Sequence, residues 1–200
     1  MSKIGIMGGT FNPIHIAHLI MAECAYEQLK LDKVLIMPTK KPPHKPNSDI
    51  VNDDHRSNMI HLAIKDNPHF EFSSVELERE GTTYTVDTLE DLTTKFPENE
   101  YYFILGADSL FQIEQWYQTD RIMKLAHIVA FGRYHLPEQQ LIDQIDHLTS
   151  KFRATIHYLS VPNMDVSSNM IRDYIKENKS IRYYVPEPVI EYINDNKLYL

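Results

Sequence analysis

Gly8-Gly9-Thr10-Phe11-Asn12-Pro13-Ile14-His15-Ile16-Ala17-His18 follows directly on the apolar run Lys3 to Met7 (KIGIM) and precedes a stretch of helical period. An unbroken apolar run of that length suits a strand buried on both faces. The two glycines let backbone N–H groups approach an anion with no Cβ in the way, and the partial positive charge of a helix N-terminus lies just beyond them. A strand that passes through such a turn into a helix is expected to cradle phosphate. His15 and His18 are three residues apart, so at a helix start they share one face, at the end nearest the glycines. Read alone, a glycine pair is also ordinary loop punctuation, and scattered histidines are mostly solvated or bonded in place.

Working outward, Leu19, Ala22, Tyr26 and Leu29 recur at helical spacing between Ile16 and Lys30, with Glu23 and Glu27 between them. Lys33 to Met37 (KVLIM), closed by Pro38, reads as a second buried strand. Thr39 to Asn52 is rich in Pro, Lys, Asn and Asp without periodicity, a long loop that gathers Lys40, Lys41, His44 and Lys45. Asp53 or Asp54 is expected to cap a helix running to about Lys65. Phe70 to Leu77 reads as a strand, Thr85 to Phe96 as a helix and Tyr101 to Leu105 (YYFIL) as a buried strand. Gly106-Ala107-Asp108-Ser109 then turns into a helix, and His127 to Phe131 is a further strand. A helix over Pro137 to Phe152 points Leu141, Ile145 and Leu148 inward, Ala154 to Leu159 is the last strand, and helices follow near Met170–Asn178 and Pro186–Asn196.

Strands alternating with helices predict an α/β fold, a doubly wound parallel sheet with C-terminal helices, in a single domain over residues 1–200. Ligands of such sheets bind beyond the carboxyl ends of the strands. The glycine loop, the Thr39 to Lys45 loop, Gly106 to Ser109 and Arg133 all follow strands and are expected to open onto one crevice.

With 28 Asp and Glu against 20 Lys and Arg, a net charge of -8, the chain lacks the basic balance of a general nucleic-acid binder. Cys24 is the only cysteine, so no intrachain disulfide or cysteine-rich zinc site is available. Its simplest role is packing, and a reducing cytoplasm fits. No basic n-region with an apolar h-region opens the chain and no apolar run nears bilayer length, so neither a leader nor a membrane partner is expected. A homo-oligomer is neither required nor ruled out by the sequence.

The opening stretch resembles the GGTFDPxHxGH signature of the nucleotidyltransferase superfamily that carries an HxGH element, with Asn12 where that family usually has Asp and Ala17 where it usually has Gly. Val166-Ser167-Ser168-Asn169-Met170-Ile171-Arg172 resembles the family's ISSTxIR element, with Asn169 in place of the usual Thr. Between them, TTYTVDTL at Thr82 to Leu89, LGAD at Leu105 to Asp108, Trp116, PPHK at Pro42 to Lys45 and Gly132-Arg133 resemble the bacterial nicotinate-nucleotide adenylyltransferases. The resemblance spans the chain. It implies a Rossmann-like nucleotidyltransferase fold and transfer of the adenylyl group of ATP to nicotinate mononucleotide, giving deamido-NAD and pyrophosphate. Mg²⁺ is expected to arrive on the ATP phosphates, with no metal site of the chain's own.

The resemblance also implies roles. His18 serves the α-phosphate in the transition state and His15 the neighbouring phosphates, which favour the charged form of an imidazole whose ordinary pKa is about 6.5. Gly8, Gly9, Thr10, Phe11, Gly106 and Asp108 fall on the ATP side, with Ser167, Ser168 and Arg172 on the leaving pyrophosphate. Lys45 and Arg133 meet the mononucleotide phosphate, and Tyr84, Thr85, Trp116 and Tyr117 the rest of the nicotinate nucleotide. The residues themselves leave alternatives. Trp116, the only tryptophan, suits stacking on a flat heteroaromatic ring or plain packing. Thr85 offers a hydroxyl and an N–H to a carboxylate, or caps its helix. Asp108 accepts from a ribose hydroxyl, or caps its own helix. Acid against amide on the pyridine ring is read by a few hydrogen bonds whose geometry the sequence does not give.

Overall fold

The computed structural model describes residues 1–40, 50–132, 137–162 and 164–200. Six parallel strands make one sheet: β1 (Lys3–Gly9), β2 (Lys33–Pro38), β3 (Phe70–Phe72), β4 (Glu100–Gly106), β5 (His127–Phe131) and β6 (Ile156–Leu159), in the order β3-β2-β1-β4-β5-β6. The register sets Ile6 of β1 beside Leu35 of β2 and Phe103 of β4. Parallel neighbours need crossovers, and helices supply them: α1 (Ile16–Leu29), α2 (Asp53–Ile64), α3 (Thr85–Lys95), α4 (Ala107–Gln112), α5 (Thr119–Leu125) and α6 (Glu138–Phe152). α7 (Ser168–Lys176) and α8 (Glu187–Asp195) close the chain. The expected doubly wound sheet with C-terminal helices is present.

The apolar runs are continuous because both faces of the sheet are covered, and successive side chains sort to opposite cores. Tyr102 and Ile104 of β4 pack with Ala22 and Ala25 of α1, Met59 of α2, Ile171 of α7 and Val189 of α8. Tyr101, Phe103 and Leu105 pack instead with Val86 and Leu89 of α3, Leu110 of α4, Ile122 of α5 and Leu141 and Leu148 of α6. The order reverses between β1 and β4, so the loops leaving these two strands part to opposite sides and open a crevice at their carboxyl ends.

Three local readings are corrected. The N-cap of α2 is Asn52, whose side chain accepts from the His55 N–H at 2.8 Å, while Asp53 and Asp54 occupy the first turn, where the helix dipole favours carboxylates. The strand expected over Phe70 to Leu77 stops at Phe72. Ser74 to Glu78 folds into a turn instead, with Leu77 and Glu78 N–H donating to the Ser74 carbonyl at 2.8 and 3.1 Å. α5 was not expected. It is seven residues long and follows Gln118 at φ 53°, and its Thr119 hydroxyl donates to the Ile113 and Trp116 carbonyls rather than advertising a cap.

Candidate active site

β1 delivers Gly8, Gly9 and Thr10 to the switch point, and the chain then drops into the core through Phe11, which is 1% exposed at φ 48°. A Cβ on Gly9 would lie 3.1 Å from the Phe11 ring, so glycine allows this ring to tuck beneath the loop. His15 is the N-cap residue of α1 and His18 is in its first turn. Their rings stack at 3.7 Å with 25° between planes, and Phe11 meets His18 edge-on at 5.0 Å. The His15 N–H donates to His18 Nδ1 at 3.3 Å. With Nδ1 accepting, the proton of the neutral ring sits on Nε2 as a donor.

Both histidines line a cavity of about 330 Å³ with Gly8, Gly9, Thr10, Gly106, Asp108, Ser167 and Ser168. α7 reaches this cavity because its cap residue Ser167 accepts from the Met170 N–H at 3.2 Å, while the Ser168 hydroxyl donates to the Pro13 carbonyl at 2.8 Å. The N-cap of α4 falls on Gly106, so Asp108 stands exposed in the first turn rather than at the cap.

A second cavity of about 470 Å³ adjoins the first and shares Gly8, Gly9, Thr10, Phe103 and Trp116 with it. Thr39, Glu76, Thr83, Tyr84, Thr85, Gln115, Tyr117 and Ile122 complete its lining. Trp116 stands edge-on to Phe103, with ring centroids 6.1 Å apart. The Thr119 hydroxyl holds the Trp116 carbonyl at 2.9 Å, fixing the backbone and not the indole. Tyr84, the N-cap residue of α3, packs against Tyr117 at 4.7 Å. Thr85 is thereby the first helical residue, a position whose N–H has no acceptor within the helix. Glu76 is 7% exposed. Burial pushes its carboxyl above the usual range, opposed by hydrogen bonds from the Thr88 and Thr39 hydroxyls and by the Arg79 charge.

The glycine loop is held from below by side chains that sequence reasoning missed. Arg56 of α2 is 0% exposed and donates to the Thr10 carbonyl at 2.7 Å and to Asp53 at 2.5 Å. Asn12 accepts at Oδ1 from the Val51 N–H at 3.2 Å and from the Tyr199 hydroxyl at 3.0 Å. Burial pushes the Tyr199 phenol well above its ordinary value, against the pull of Arg172 and Arg56. Replacing Arg56 by methionine removes the donor to the Thr10 carbonyl and leaves Asp53, 39% exposed, to solvent. A loss of about 2 kcal/mol in unfolding free energy is expected from urea denaturation. Arg56→Lys is expected to recover only part of it, since an ammonium lacks the planar fork that spans both acceptors.

Of the residues singled out from sequence, His15, His18, Gly8, Gly9, Thr10, Gly106, Asp108, Ser167 and Ser168 gather in the first cavity, and Tyr84, Thr85, Trp116 and Tyr117 in the second. Phe11 lines neither, and its side chain supports the loop from the core. Arg172 lies behind the first cavity, not in its lining, donating to the Asn12 carbonyl at 2.9 Å and to Asn169 Oδ1 at 2.8 Å. Lys45 and Arg133 lie outside the described residues, as do Lys41 and His44. Among the described residues no three His, Cys, Asp or Glu side chains gather as a metal cage, and no helix is long and apolar enough to cross a membrane.

A cytidylyltransferase-like family model matches residues 6–174. A protein of Lachnoclostridium phytofermentans named as a probable nicotinate-nucleotide adenylyltransferase is 52% identical over 200 residues, covering 100% of both chains. One of the same name from Carboxydothermus hydrogenoformans is 38% identical over 198 residues, covering 99% of this chain and 98% of its own. Among solved structures, the nicotinic acid mononucleotide adenylyltransferase of Plasmodium falciparum matches in a complex with APC at TM-score 0.80 and in a complex with NaAD at 0.82. Each is 20% identical and covers 100% of this chain and 98% of that one.

Proposed function

The chain belongs to the cytidylyltransferase-like family, among its nicotinate-nucleotide adenylyltransferases, and on that footing we propose that it joins ATP to nicotinate mononucleotide, giving deamido-NAD and pyrophosphate. The observation that carries this reading is the pair of cavities meeting at Gly8 to Thr10, one holding the stacked histidines and the other the indole of Trp116. Each suits one substrate, and their junction is where the two phosphates must meet.

A phosphate oxygen of the mononucleotide attacks the α-phosphorus of ATP. The new P–O bond forms as the bond from that phosphorus to the β-phosphate oxygen breaks, and the electron pair leaves on pyrophosphate. A phosphate monoester with second pKa of about 6 is largely dianionic at neutral pH, so no enzyme base is required. What remains is to hold two anions in line and to answer the charge that builds on the α-phosphoryl oxygens.

We assign that second task to His18, whose Nε2 carries the proton of the neutral ring, and the positioning of the neighbouring phosphates to His15. Gly8, Gly9, Thr10 and Gly106 bring backbone N–H groups close, and Asp108 accepts from the ribose. With the Ser168 hydroxyl given to the Pro13 carbonyl, Ser167 through its hydroxyl and Ser168 through its backbone N–H at the first position of α7 hold the leaving pyrophosphate. Arg172 serves it from behind, by fixing Asn12 and Asn169. Trp116 stacks on the pyridine ring, flanked by Tyr84 and Tyr117, and the first N–H of α3 at Thr85 receives the carboxylate. Lys45 and Arg133 remain our candidates for the mononucleotide phosphate.

ATP enters as its divalent-metal complex, for which we propose Mg²⁺. Its hard, oxygen-seeking ion is served by the phosphates themselves. The same reading takes residues 1–200 as one domain working in the cytoplasm. Supplying nicotinate and nicotinamide mononucleotide in parallel to one pyrophosphate-release assay tests the substrate. The acid is expected to give the higher kcat/KM, and an equal or higher value for the amide overturns the assignment.

A further inference from the structure

Among the described residues, Glu76 is the one acidic side chain in the lining of the second cavity. It hangs from the Ser74 to Glu78 turn that replaces the expected strand, and it is 7% exposed. One carboxyl oxygen accepts from the Thr88 hydroxyl at 2.9 Å and the Thr39 hydroxyl also acts on the carboxyl, while the other oxygen, Oε2, is buried and makes no hydrogen bond of ordinary length. Thr88 is itself held, accepting from Arg79 Nη1 at 3.1 Å, while Arg79 Nη2 donates to Asp91 of α3 at 2.6 Å. Among the described residues, the further charged or titratable groups on the elements about it are Lys40 after β2, whose Nζ donates to the Arg79 carbonyl at 2.9 Å, and Tyr84, which lines the same cavity. Arg79 has its own carboxylate in Asp91, so Glu76 receives only a share of its charge.

A buried acid with an open oxygen is costly to leave unused, because an unmet polar group loses its hydration and gains nothing in return. The cavity it lines also contains Thr85 and Trp116, the residues assigned above to the carboxylate and ring of the nicotinate. An ionised Glu76 there repels a carboxylate and accepts from a carboxamide N–H. A protonated Glu76 donates to a carboxylate. We propose that Glu76 is a specificity-determining residue whose protonation state sets the choice between a pyridine carboxylate and a pyridine carboxamide. The acid substrate binds with uptake of one proton from solvent onto Glu76, and the amide binds without it. Burial already raises this carboxyl, and a second carboxylate nearby raises it further, so the direction of the coupling agrees with the geometry.

This inference rests on the adenylyltransferase reading, and the experiment separates the two. kcat/KM is measured for nicotinate and for nicotinamide mononucleotide from pH 6 to 9, and the acid-to-amide ratio is plotted. Groups acting on both substrates alike, the two histidines and the substrate phosphate among them, cancel in that ratio. The ratio is expected to fall about tenfold per pH unit on the alkaline side of the Glu76 pKa. Glu76→Gln, which presents a permanent N–H donor, is expected to abolish the fall and hold the ratio at its low-pH value. Calorimetry in two buffers of different ionisation enthalpy is expected to show up to one proton more taken up with the acid than with the amide, the protons linked to groups common to both substrates dropping out of the difference. That measurement and the wild-type profile stand if the variant does not fold. Turnover of the acid with a ratio flat in pH and equal proton uptake with acid and amide overturns the role of Glu76 and leaves the activity standing. Pyrophosphate release with neither mononucleotide overturns the activity and this inference with it.

Discussion

Replacing His18 by alanine lowers turnover about a hundred- to a thousandfold and leaves the unfolding transition nearly where it was. The first half follows from where the imidazole stands. Stacked on His15 and braced edge-on by Phe11, it is held in one orientation, with Nδ1 accepting from the His15 N–H and the proton of the neutral ring therefore on Nε2. A fixed donor facing charge that develops only in the transition state contributes to turnover rather than to substrate binding, and removing one such donor costs about that factor. The second half follows from the helix. His18 sits in the first turn of α1, half-buried, where alanine is the better helix former and the lost contact with the His15 N–H is modest. Steady-state deamido-NAD synthesis and a urea melt on the same preparation check both. Near-normal synthesis by the variant removes His18 from the chemistry.

Trp116→Ala raises the KM for nicotinate mononucleotide about ten- to a hundredfold, with a much smaller change in the KM for ATP. Stacking of a flat heteroaromatic ring on an indole is worth about 1–3 kcal/mol, and that range sets the factor. The local fold survives the substitution. The turn is held by the Thr119 hydroxyl on the carbonyls of Ile113 and Trp116, and the indole itself contributes chiefly its edge contact with Phe103. Titrating each substrate at saturating levels of the other separates the two effects. Equal rises in both KM values make the tryptophan a packing residue at the junction of the cavities.

The framework was legible because it is built from local signals. The apolar runs KIGIM, KVLIM, YYFIL and HIVAF became β1, β2, β4 and β5, since two covered faces demand unbroken apolar strands. The carboxyl ends of β1 and β4 then had to carry Gly8 to Thr10 and Gly106 to Asp108 to one crevice. What stayed hidden is held by long-range contacts. Arg56 looks like a surface charge on α2 and is buried because the Thr10 carbonyl, 46 residues away, needs a donor. Tyr199 reaches Asn12 across 187 residues, and no periodicity marks it. Glu76 was concealed by a misread strand, since VEL continues the alternation of FEF although the backbone has already turned at Ser74. Arg172 matched its motif yet spends its guanidinium on Asn12 and Asn169. A motif names residue types, and the fold decides whether each faces the substrate or the loop that holds it.

The position of Asn12 sharpens this point. Its side-chain oxygen joins Val51 and Tyr199, and its carbonyl takes Arg172. In each of these bonds an oxygen of Asn12 accepts, and at the side chain an amide supplies that acceptor as a carboxylate would. The change from the family's usual aspartate is therefore compatible with these three fastenings of the loop.

The central claim is that the two cavities bring a mononucleotide phosphate into line with the α-phosphorus of ATP. Incubating the protein with nicotinate mononucleotide and ATP labelled at the α-phosphorus, and following the label by chromatography, tests it most directly. The label is expected in deamido-NAD, with one pyrophosphate released per dinucleotide formed. Label recovered as free AMP, or orthophosphate in place of pyrophosphate, contradicts the account.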